Sequence, residues 1–153
     1  MAIEVRPLRV KDFEAWFTLQ HEAMADPLTQ RGIKSEYQSK RSLRLGGWVD
    51  DRLIGVFLGW LVVDELQVIQ IATHVDARRS GVGNALLSQA LSEACSRGAR
   101  RATLEVRQSN TPAIALYRHH GFIDDGIRRR FYADGESALL MSWTSSSTQS
   151  DDG

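Results

Sequence analysis

The fold is decided by residues 66–107, LQVIQIATHVDARRSGVGNALLSQALSEACSRGARRATLEVR. Leu66 to Thr73 has the β-branched and aliphatic composition of a strand. From Gly83 onward apolar residues recur every three or four positions and Gly98 follows as a C-cap, which predicts a helix of about four turns. Arg101 to Arg107 is the next strand. Two strands joined by a helix form a parallel crossover, and we expect ligand chemistry at this unit.

The residues before the crossover predict helices and antiparallel strands. Ile3 to Leu8 alternates like an opening strand, and an amphipathic helix follows from Asp12 until Asp26-Pro27. Ser35 to Leu45 is interpreted as a second, weaker helix. Turn signals around residues 46–47 and 50–52 then predict that residues 46–74 form a three-stranded meander.

The residues after the crossover predict a short helix and a hairpin. Ser109 to Pro112 is a helix start, with proline in the first turn, and Gly121 closes the helix. The strands Phe122 to Tyr132 and Glu136 to Trp143, joined by Ala133-Asp134-Gly135, form the hairpin. The order β-α-(α)-β-β-β-α-β-α-β-β predicts an α+β, or mixed α/β, fold whose sheet is mostly antiparallel with one parallel crossover.

The composition is that of a single soluble domain. The chain has 153 residues, of which 42% are hydrophobic, enough for one core. We expect one domain over residues 1–143 and a disordered polar tail over residues 144–153. Basic and acidic residues balance at 19 each, so the overall charge favours neither nucleic acid nor an anionic membrane as a partner. The single cysteine, Cys95, and the lack of a signal peptide favour the cytoplasm.

The segment between the first strand and the helix of the crossover has the features of a phosphate-binding loop. It consists of Arg78, Arg79, Ser80, Gly81, Val82, Gly83 and Asn84. The glycines let successive N–H groups face one point, and the helix N-terminus adds free donors to the two arginine charges. No Gly-Lys-Ser/Thr follows and a third glycine is missing, which excludes a P-loop and a dinucleotide fingerprint. An ordinary surface loop without a ligand accounts for these residues equally well. The neighbouring motifs decide between this interpretation and a phosphate-binding loop.

Two side chains after the loop could supply acid–base chemistry. Period-two alternation places Leu104 and Val106 on one face of their strand and Glu105 on the other. Tyr117 is a phenol in an otherwise apolar short helix, and with an ordinary pKa near 10 it is a suitable proton donor. Each also has a simpler explanation. Glu105 could pair with Arg107 on its own face, and Tyr117 could be a core residue with a satisfied hydroxyl.

The combination of RRSGVGNALL at residues 78–87 with TLEVRQSNTPAIALYRHHGF at residues 103–122 resembles the GNAT superfamily of acetyltransferases. Within it, the chain is similar to the RimI group, which acetylates the N-terminal alanine of a small-subunit ribosomal protein. The resemblance covers Leu66 to Met141. It implies an acetyl-coenzyme A-dependent N-acetyltransferase with a GNAT-like fold, in which about four helices flank a central seven-stranded sheet.

The resemblance also implies roles for individual residues. The backbone of Ile71, Ala72 and Thr73 would pair with the pantetheine arm of acetyl-coenzyme A, Arg79 to Asn84 would hold its pyrophosphate, and Asn110 would contact it. Glu105 would be the general base, directly or through a water, and Tyr117 the general acid. Phe131 and Tyr132 stand where the group usually has two tyrosines that grip the peptide, and Ser137 replaces an acidic residue that often follows Glu136. The sequence therefore constrains the reaction more than the acceptor.

Two other functions stay open. The same machinery could acetylate a small amine or antibiotic, because superfamily members differ mainly after the first helix, where Pro27 to Gly46 is uninformative. A non-catalytic acyl-coenzyme A sensor is the other alternative, although it would need neither Glu105 nor Tyr117. The histidines lack metal-ligand spacing, so we expect no metal. Arg128 to Arg130 is interpreted as a solvated strand, so the expected partner is an acceptor protein N-terminus and not a nucleic acid.

Overall fold

The computed structural model describes residues 2–145. Its helices and strands, in chain order, are β1 (Glu4–Pro7), α1 (Phe13–Ala23), α2 (Gln30–Glu36), β2 (Ser42–Val49), β3 (Arg52–Val62), β4 (Glu65–Thr73), α3 (Val82–Ser96), β5 (Arg101–Arg107), α4 (Thr111–His119), β6 (Ile123–Arg128) and β7 (Ala138–Thr144). Short 3-10 turns at Val10–Asp12 and Val75–Ala77 precede α1 and the predicted phosphate loop.

Within residues 2–145 the strands form one seven-stranded sheet in the order β1-β2-β3-β4-β5-β7-β6. β4 and β5 are parallel and connected through α3, while the other neighbours are antiparallel. The predicted fold class is therefore confirmed. The parallel pairing is short, because it joins only Glu65, Leu66 and Gln67 to residues 101–103. Beyond it the two strands separate and the sheet opens.

A β-bulge in β4 lies where this separation begins. The partners of Leu58 and Gly59 in β3 are Gln70 and Val68, so Ile69 is the extra residue in β4. A bulge bends its strand and increases the local twist, which here turns the second half of β4 away from β5. Among the described strands, none consequently pairs with the backbone edge of β4 after the bulge on the β5 side.

The sheet separates two hydrophobic cores. On one face α3 packs against β2, β3 and β4 through buried side chains that include Leu86, Leu87 and Ala90. On the other face α1 and α2 pack around Trp16 and Ile33. Gly47 and Gly55 let the start of α3 approach the sheet closely, because a Cβ atom there would lie 2.6 Å and 2.9 Å from Val82. These contacts fix where the phosphate loop stands relative to β4.

The predicted second helix over residues 35–45 is wrong in position. The helix is α2, which ends at Glu36, and its first turn is capped by Thr29, whose Oγ1 accepts a 3.0 Å hydrogen bond from the Gly32 N–H. Residues 42–45 belong instead to β2, which pairs with both β1 and β3. Leu43 and Leu45 recur with the period of a strand, and both are buried in the α3 core.

The last hairpin has shorter strands than predicted. Phe131, Tyr132 and Glu136 lie in the connection between β6 and β7. Its backbone bends sharply, with a φ of 52° at Arg130 and a 2.9 Å bond from the Gly135 N–H to the Tyr132 carbonyl, so a regular ladder cannot continue.

The last strand reaches into the segment that the sequence predicted as a disordered tail. β7 runs through Thr144, and the Ser145 N–H donates a 2.8 Å bond to the Arg100 carbonyl, so the sheet reaches the start of the predicted tail. The remainder of that tail, residues 146–153, lies outside the described residues. In the described part of the chain no helix has the length and apolar character needed to span a bilayer.

Candidate active site

A cleft of about 720 Å³ opens where β4 and β5 separate. Its lining includes nearly all the residues predicted to bind the cofactor or to catalyse: Ile71, Ala72, Thr73, Arg78, Arg79, Gly81, Val82, Gly83, Asn84, Glu105, Asn110 and Tyr117. Ser80 is absent from the lining, and its Oγ accepts a 3.3 Å bond from the Val82 N–H within the loop. The opened sheet thus brings together sequence motifs that are far apart in the chain.

The loop of residues 78–84 has the geometry of an anion site. Gly81 has a φ of 91°, which favours glycine, and it is the N-cap of α3. The N–H groups of Gly81, Gly83 and Asn84 have no acceptor among residues 2–145, since the first turn of a helix lacks preceding carbonyls. Arg78 and Arg79 are exposed and form no ion pair within that same range. Free donors, a positive helix end and two guanidinium groups suit a pyrophosphate.

Helix α4 is fixed against this loop at two points. A Cβ atom on Gly83 would come within 3.3 Å of Leu116 Cδ2, so the absence of a side chain allows the close approach of α4. His120 Nε2 lies 2.9 Å from Asn84 Oδ1. Burial and the neighbouring His119 lower the pKa of His120, and a neutral ring with its proton on Nε2 can donate this bond. Tyr117, on the same helix, is thereby held at a set position relative to the loop.

The exposed edge of β4 offers backbone hydrogen-bonding groups to the cleft. Ile71, Ala72 and Thr73 pair with β3 on one side, and among the described strands none pairs with them on the other. An elongated ligand that carries amide groups can add to such an edge in the way an extra strand does. The edge therefore suits a ligand with a long amide-containing arm attached to its phosphates.

Glu105 projects from the middle of β5 into the cleft. Its neighbours Leu104 and Val106 are buried on the opposite face, as the alternation predicts, whereas its own side chain is 43% exposed. Among residues 2–145 its ion-pair partner is Arg128, whose Nη1 lies 3.8 Å from Glu105 Oε1, too far for a hydrogen bond. Glu105 also borders a second opening, of about 460 Å³, beside β6. A carboxylate held in this way can be reached from two sides.

Tyr117 projects from α4 into the same cleft, and its ring is buried. The ring centroid lies 5.7 Å from that of Phe122, and the residue is 6% exposed. Nothing among residues 2–145 hydrogen-bonds to the hydroxyl, in contrast to the alternative of a satisfied core phenol. Burial, reinforced by the nearby Tyr132, raises the pKa of Tyr117 above the ordinary value of 10.0 assumed from the sequence. The phenol therefore stays protonated throughout the neutral range.

The other predicted contacts divide between the cleft and its surroundings. Asn110 lines the cleft while it caps α4, its Oδ1 accepting a 3.3 Å bond from the Ala113 N–H. Tyr132 also lines the cleft. Phe131 does not; it is 40% exposed and packs edge-on against Tyr132, with 5.0 Å between ring centroids. Within the described chain no group of three His, Cys, Asp or Glu side chains is arranged to hold a metal ion.

Arg107 lines the cleft and has a set of partners that the sequence did not reveal. Its Nε and Nη2 donate to the two carboxylate oxygens of Asp26 at 2.8 Å and 2.9 Å, and its Nη1 lies 2.8 Å from both Asp134 and Glu136. These bonds occupy the guanidinium, so Arg107 is not the partner of Glu105 that the simpler explanation required. Alternation along β5 could have placed Arg107 on the cleft face. No local pattern, however, relates it to Asp26, which is 81 residues away.

Comparisons with known proteins agree with this geometry. The model of the Acetyltransferase (GNAT) family matches residues 7–122. The [Ribosomal protein bS18]-alanine N-acetyltransferase of Salmonella typhimurium is 36% identical over 137 residues, which are 88% of this chain and 92% of that protein. The enzyme of the same description from Escherichia coli K12 is 34% identical over 140 residues, 90% and 94% of the two chains. The crystal structure of the ribosomal-protein-S18-alanine N-acetyltransferase from Escherichia coli matches with a TM-score of 0.86 at 32% identity, covering 94% of each chain. The chain therefore belongs to the acetyltransferase (GNAT) family, the family that its glycine loop and its β5–α4 motif predict.

Proposed function

We propose that the protein is an acetyl-coenzyme A-dependent N-acetyltransferase that acts on a protein N-terminal amine, with the N-terminal alanine of a ribosomal protein as the leading acceptor. The observation that carries the proposal is that one cleft is lined by the anion-binding loop, the unpaired edge of β4, Glu105 and Tyr117. Two relatives that match this chain over about nine tenths of its length are named for the acetylation of alanine on bS18. A ribosomal acceptor also fits the cytoplasmic location favoured by the single Cys95.

The donor side of the cleft fits coenzyme A. Within residues 79–84, the free N–H groups of Gly81, Gly83 and Asn84 would hold the pyrophosphate, and Arg78 would add a further positive charge. The backbone of residues 71–73 would pair with the amides of the pantetheine arm, and Asn110 would contact the donor from the start of α4. When bound, the donor supplies a thioester whose carbonyl carbon an amine can attack.

Glu105 and Tyr117 would perform the proton transfers. Glu105 accepts a proton from the acceptor ammonium, directly or through a water, so that the nitrogen lone pair can form the new bond to carbon. Tyr117 gives a proton to the sulfur as the carbon–sulfur bond breaks, and the second proton that the nitrogen releases restores the phenol. The products are an amide and a free thiol, and Glu105 releases its proton to solvent. The raised pKa of Tyr117 keeps its proton-donating form fully populated at neutral pH. Positioned acid–base groups of this kind contribute about 10² to 10⁴ in rate.

Phe131 and Tyr132 would contact the acceptor peptide. Tyr132 borders the cleft and keeps a hydroxyl that can bond to a peptide backbone. Phe131 has no such group, so one possible hydrogen bond to the acceptor is lost. Recognition would therefore depend more on the loop that follows α1, which supplies Met24, Ala25 and Asp26 to the same cleft.

The proposal is tested with labelled acetyl-coenzyme A and three kinds of acceptor. These are a ribosomal peptide that begins with alanine, the same peptide with its N-terminus blocked, and polyamines. We expect label on the free peptide alone. Transfer to polyamines but not to the peptide would show that the acceptor is a small amine. Binding of the donor without transfer to any amine would show a sensor.

A further inference from the structure

We propose that Arg107 is a positioning residue that clamps together two loops on the acceptor side of the cleft. These are the α1–α2 loop (residues 24–29) and the β6–β7 loop (residues 129–137). Both contribute to the lining, the first through Met24, Ala25 and Asp26 and the second through Tyr132. The inference rests on the proposed function, because it concerns how the acceptor reaches Glu105.

One guanidinium contacts both loops at hydrogen-bond distance. It makes a two-pronged contact with Asp26 of the α1–α2 loop, at 2.8 Å and 2.9 Å. It also contacts Asp134 and Glu136 of the β6–β7 loop, both at 2.8 Å. Arg107 itself is the last residue of β5 and pairs with Ala138, so the clamp is anchored on the sheet. The separation of the two loops is therefore set by a rigid strand.

The site requires arginine and not merely a positive charge. Arginine presents a planar fork of donors that can serve several carboxylates at once, whereas lysine offers a single nitrogen. The Arg107 side chain is only 16% exposed, and its guanidinium carbon lies 4.2 Å from the centroid of the Tyr132 ring. Ion pairs on an open surface contribute little, but here the ring and three carboxylates enclose the cation. The clamp thus also sets where Tyr132 stands over the cleft.

The middle of the α1–α2 loop is held in place by the contact between Asp26 and Arg107. At one end the Met24 N–H caps α1 by donating to the Gln20 carbonyl at 3.1 Å. At the other end the Gln20 side chain bonds to the N–H and carbonyl of Leu28, at 2.6 Å and 2.9 Å. Among the described residues, the hydrogen bonds of residues 25–27 are limited to those that the Asp26 carboxylate accepts from Arg107. Without Arg107 that part of the cleft wall has no polar anchor.

The clamp lies apart from the phosphate loop and the β4 edge. Among residues 2–145 it meets the donor side only at the start of α4, where Glu136 accepts a 2.8 Å bond from the Ser109 N–H and the Arg107 carbonyl accepts a 2.9 Å bond from the Asn110 N–H. Neither loop contains a residue of the 78–84 segment or of the β4 edge, and Arg107 lies two positions after Glu105 on the same face of β5. A displaced wall would misalign the acceptor amine with Glu105, and a shift of about 1 Å can cost about 100-fold in rate. Loss of the clamp should therefore act on the acceptor and leave donor binding intact.

The test compares Arg107→Lys, Asp26→Asn and their combination with Arg97→Lys as the matched control. Arg97 also contacts a carboxylate through two nitrogens, which donate to one oxygen of Glu93 at 2.8 Å and 3.2 Å, but it lies at the exposed C-terminal end of α3. We expect Arg107→Lys to lower kcat/KM for the acceptor peptide about 10- to 100-fold while the Kd for acetyl-coenzyme A is unchanged. Because Asp26→Asn disrupts a contact that Arg107→Lys also disrupts, the double variant should lose no more than Arg107→Lys alone. Arg97→Lys should behave like the wild type.

Hydrogen exchange of the substrate-free protein tests the clamp without any activity measurement. Arg107→Lys should increase amide exchange in both loops, whereas Asp26→Asn should increase it mainly in residues 24–29. Wild-type exchange in both loops of Arg107→Lys, or an equal loss of donor affinity, would overturn the inference. Failure of the wild-type enzyme to acetylate any peptide would instead overturn the proposed function. The exchange measurement distinguishes the two failures.

Discussion

Replacement of Tyr117 by phenylalanine separates the chemistry of the hydroxyl from the packing of the ring. The ring is buried beside Phe122, and phenylalanine keeps these contacts. A hydrogen bond within a protein contributes about 0.5 to 1.5 kcal/mol, but none to this hydroxyl exists among residues 2–145. We therefore expect Tyr117→Phe to change the free energy of unfolding by less than about 0.5 kcal/mol.

Tyr37→Phe is the matched control for this change. The Tyr37 hydroxyl donates a 2.8 Å bond to the Arg9 carbonyl, and Tyr37 does not line the cleft. Its removal should cost about 1 kcal/mol, equivalent to a fall of about 2 to 4 °C in Tm for a chain of this size. The rate of acetyl transfer should remain that of the wild type.

The same two substitutions should affect activity in the opposite way: Tyr117→Phe should lower it, and Tyr37→Phe should not. If the Tyr117 phenol delivers a proton to the leaving sulfur, Tyr117→Phe should lower kcat by about 100-fold or more. Labelled acetyl-coenzyme A measures the rate, and urea unfolding measures the stability of the same preparations. A wild-type kcat would remove Tyr117 from the mechanism. A loss of stability as large as that of Tyr37→Phe would show that the hydroxyl has a structural bond, contrary to the geometry.

Three further predictions concern pH, the base and the loop. Burial raises the folded-state pKa of Tyr117 above its unfolded value of 10.0, so its stabilisation is complete below pH 10 and is lost as pH rises above it. Tyr117→Phe should flatten this alkaline fall in Tm, and parallel curves would refute the assignment. Glu105→Gln should lower turnover by about two orders of magnitude or more at unchanged donor affinity, whereas unchanged turnover across neutral pH would exclude Glu105 as the base. Gly81→Ala and Gly98→Ala replace glycines with φ of 91° and 99° and open space around the new Cβ, so each should lose about 1 kcal/mol by denaturant unfolding. Only the former should weaken acetyl-coenzyme A binding by calorimetry, and equal binding would argue against the loop as the phosphate site.

Local sequence patterns predicted the crossover unit because each of its elements has a clear period and a clear end. The helix from residue 83 was expected on apolar spacing with Gly98 as its stop, and α3 spans Val82–Ser96. The strand from Arg101 to Arg107 was expected at the bounds that β5 has. Its alternation correctly placed Glu105 on the face opposite Leu104 and Val106.

Elements whose conformation depends on distant neighbours were predicted less well. Residues 42–45 form a strand because all four pair with β3 and Leu45 also pairs with β1, which no local spacing reveals. Phe131 and Tyr132 were placed in a strand, but the turn at Gly135 takes them out of the ladder. In this connection Tyr132 lines the cleft and Phe131 does not.

By itself the sequence determined the family, the order of elements and the residue types available for chemistry, because glycines, helix starts and alternating strands act over a few residues. The tertiary structure alone decided the rest. The bulge at Ile69 separates β4 from β5 and creates the cleft, packing buries Tyr117 and raises its pKa, and folding brings Asp26 to Arg107 across 81 residues. The physical reason is that burial and ionic contacts depend on distances in space, which the chain sets only when its two cores and its sheet are assembled.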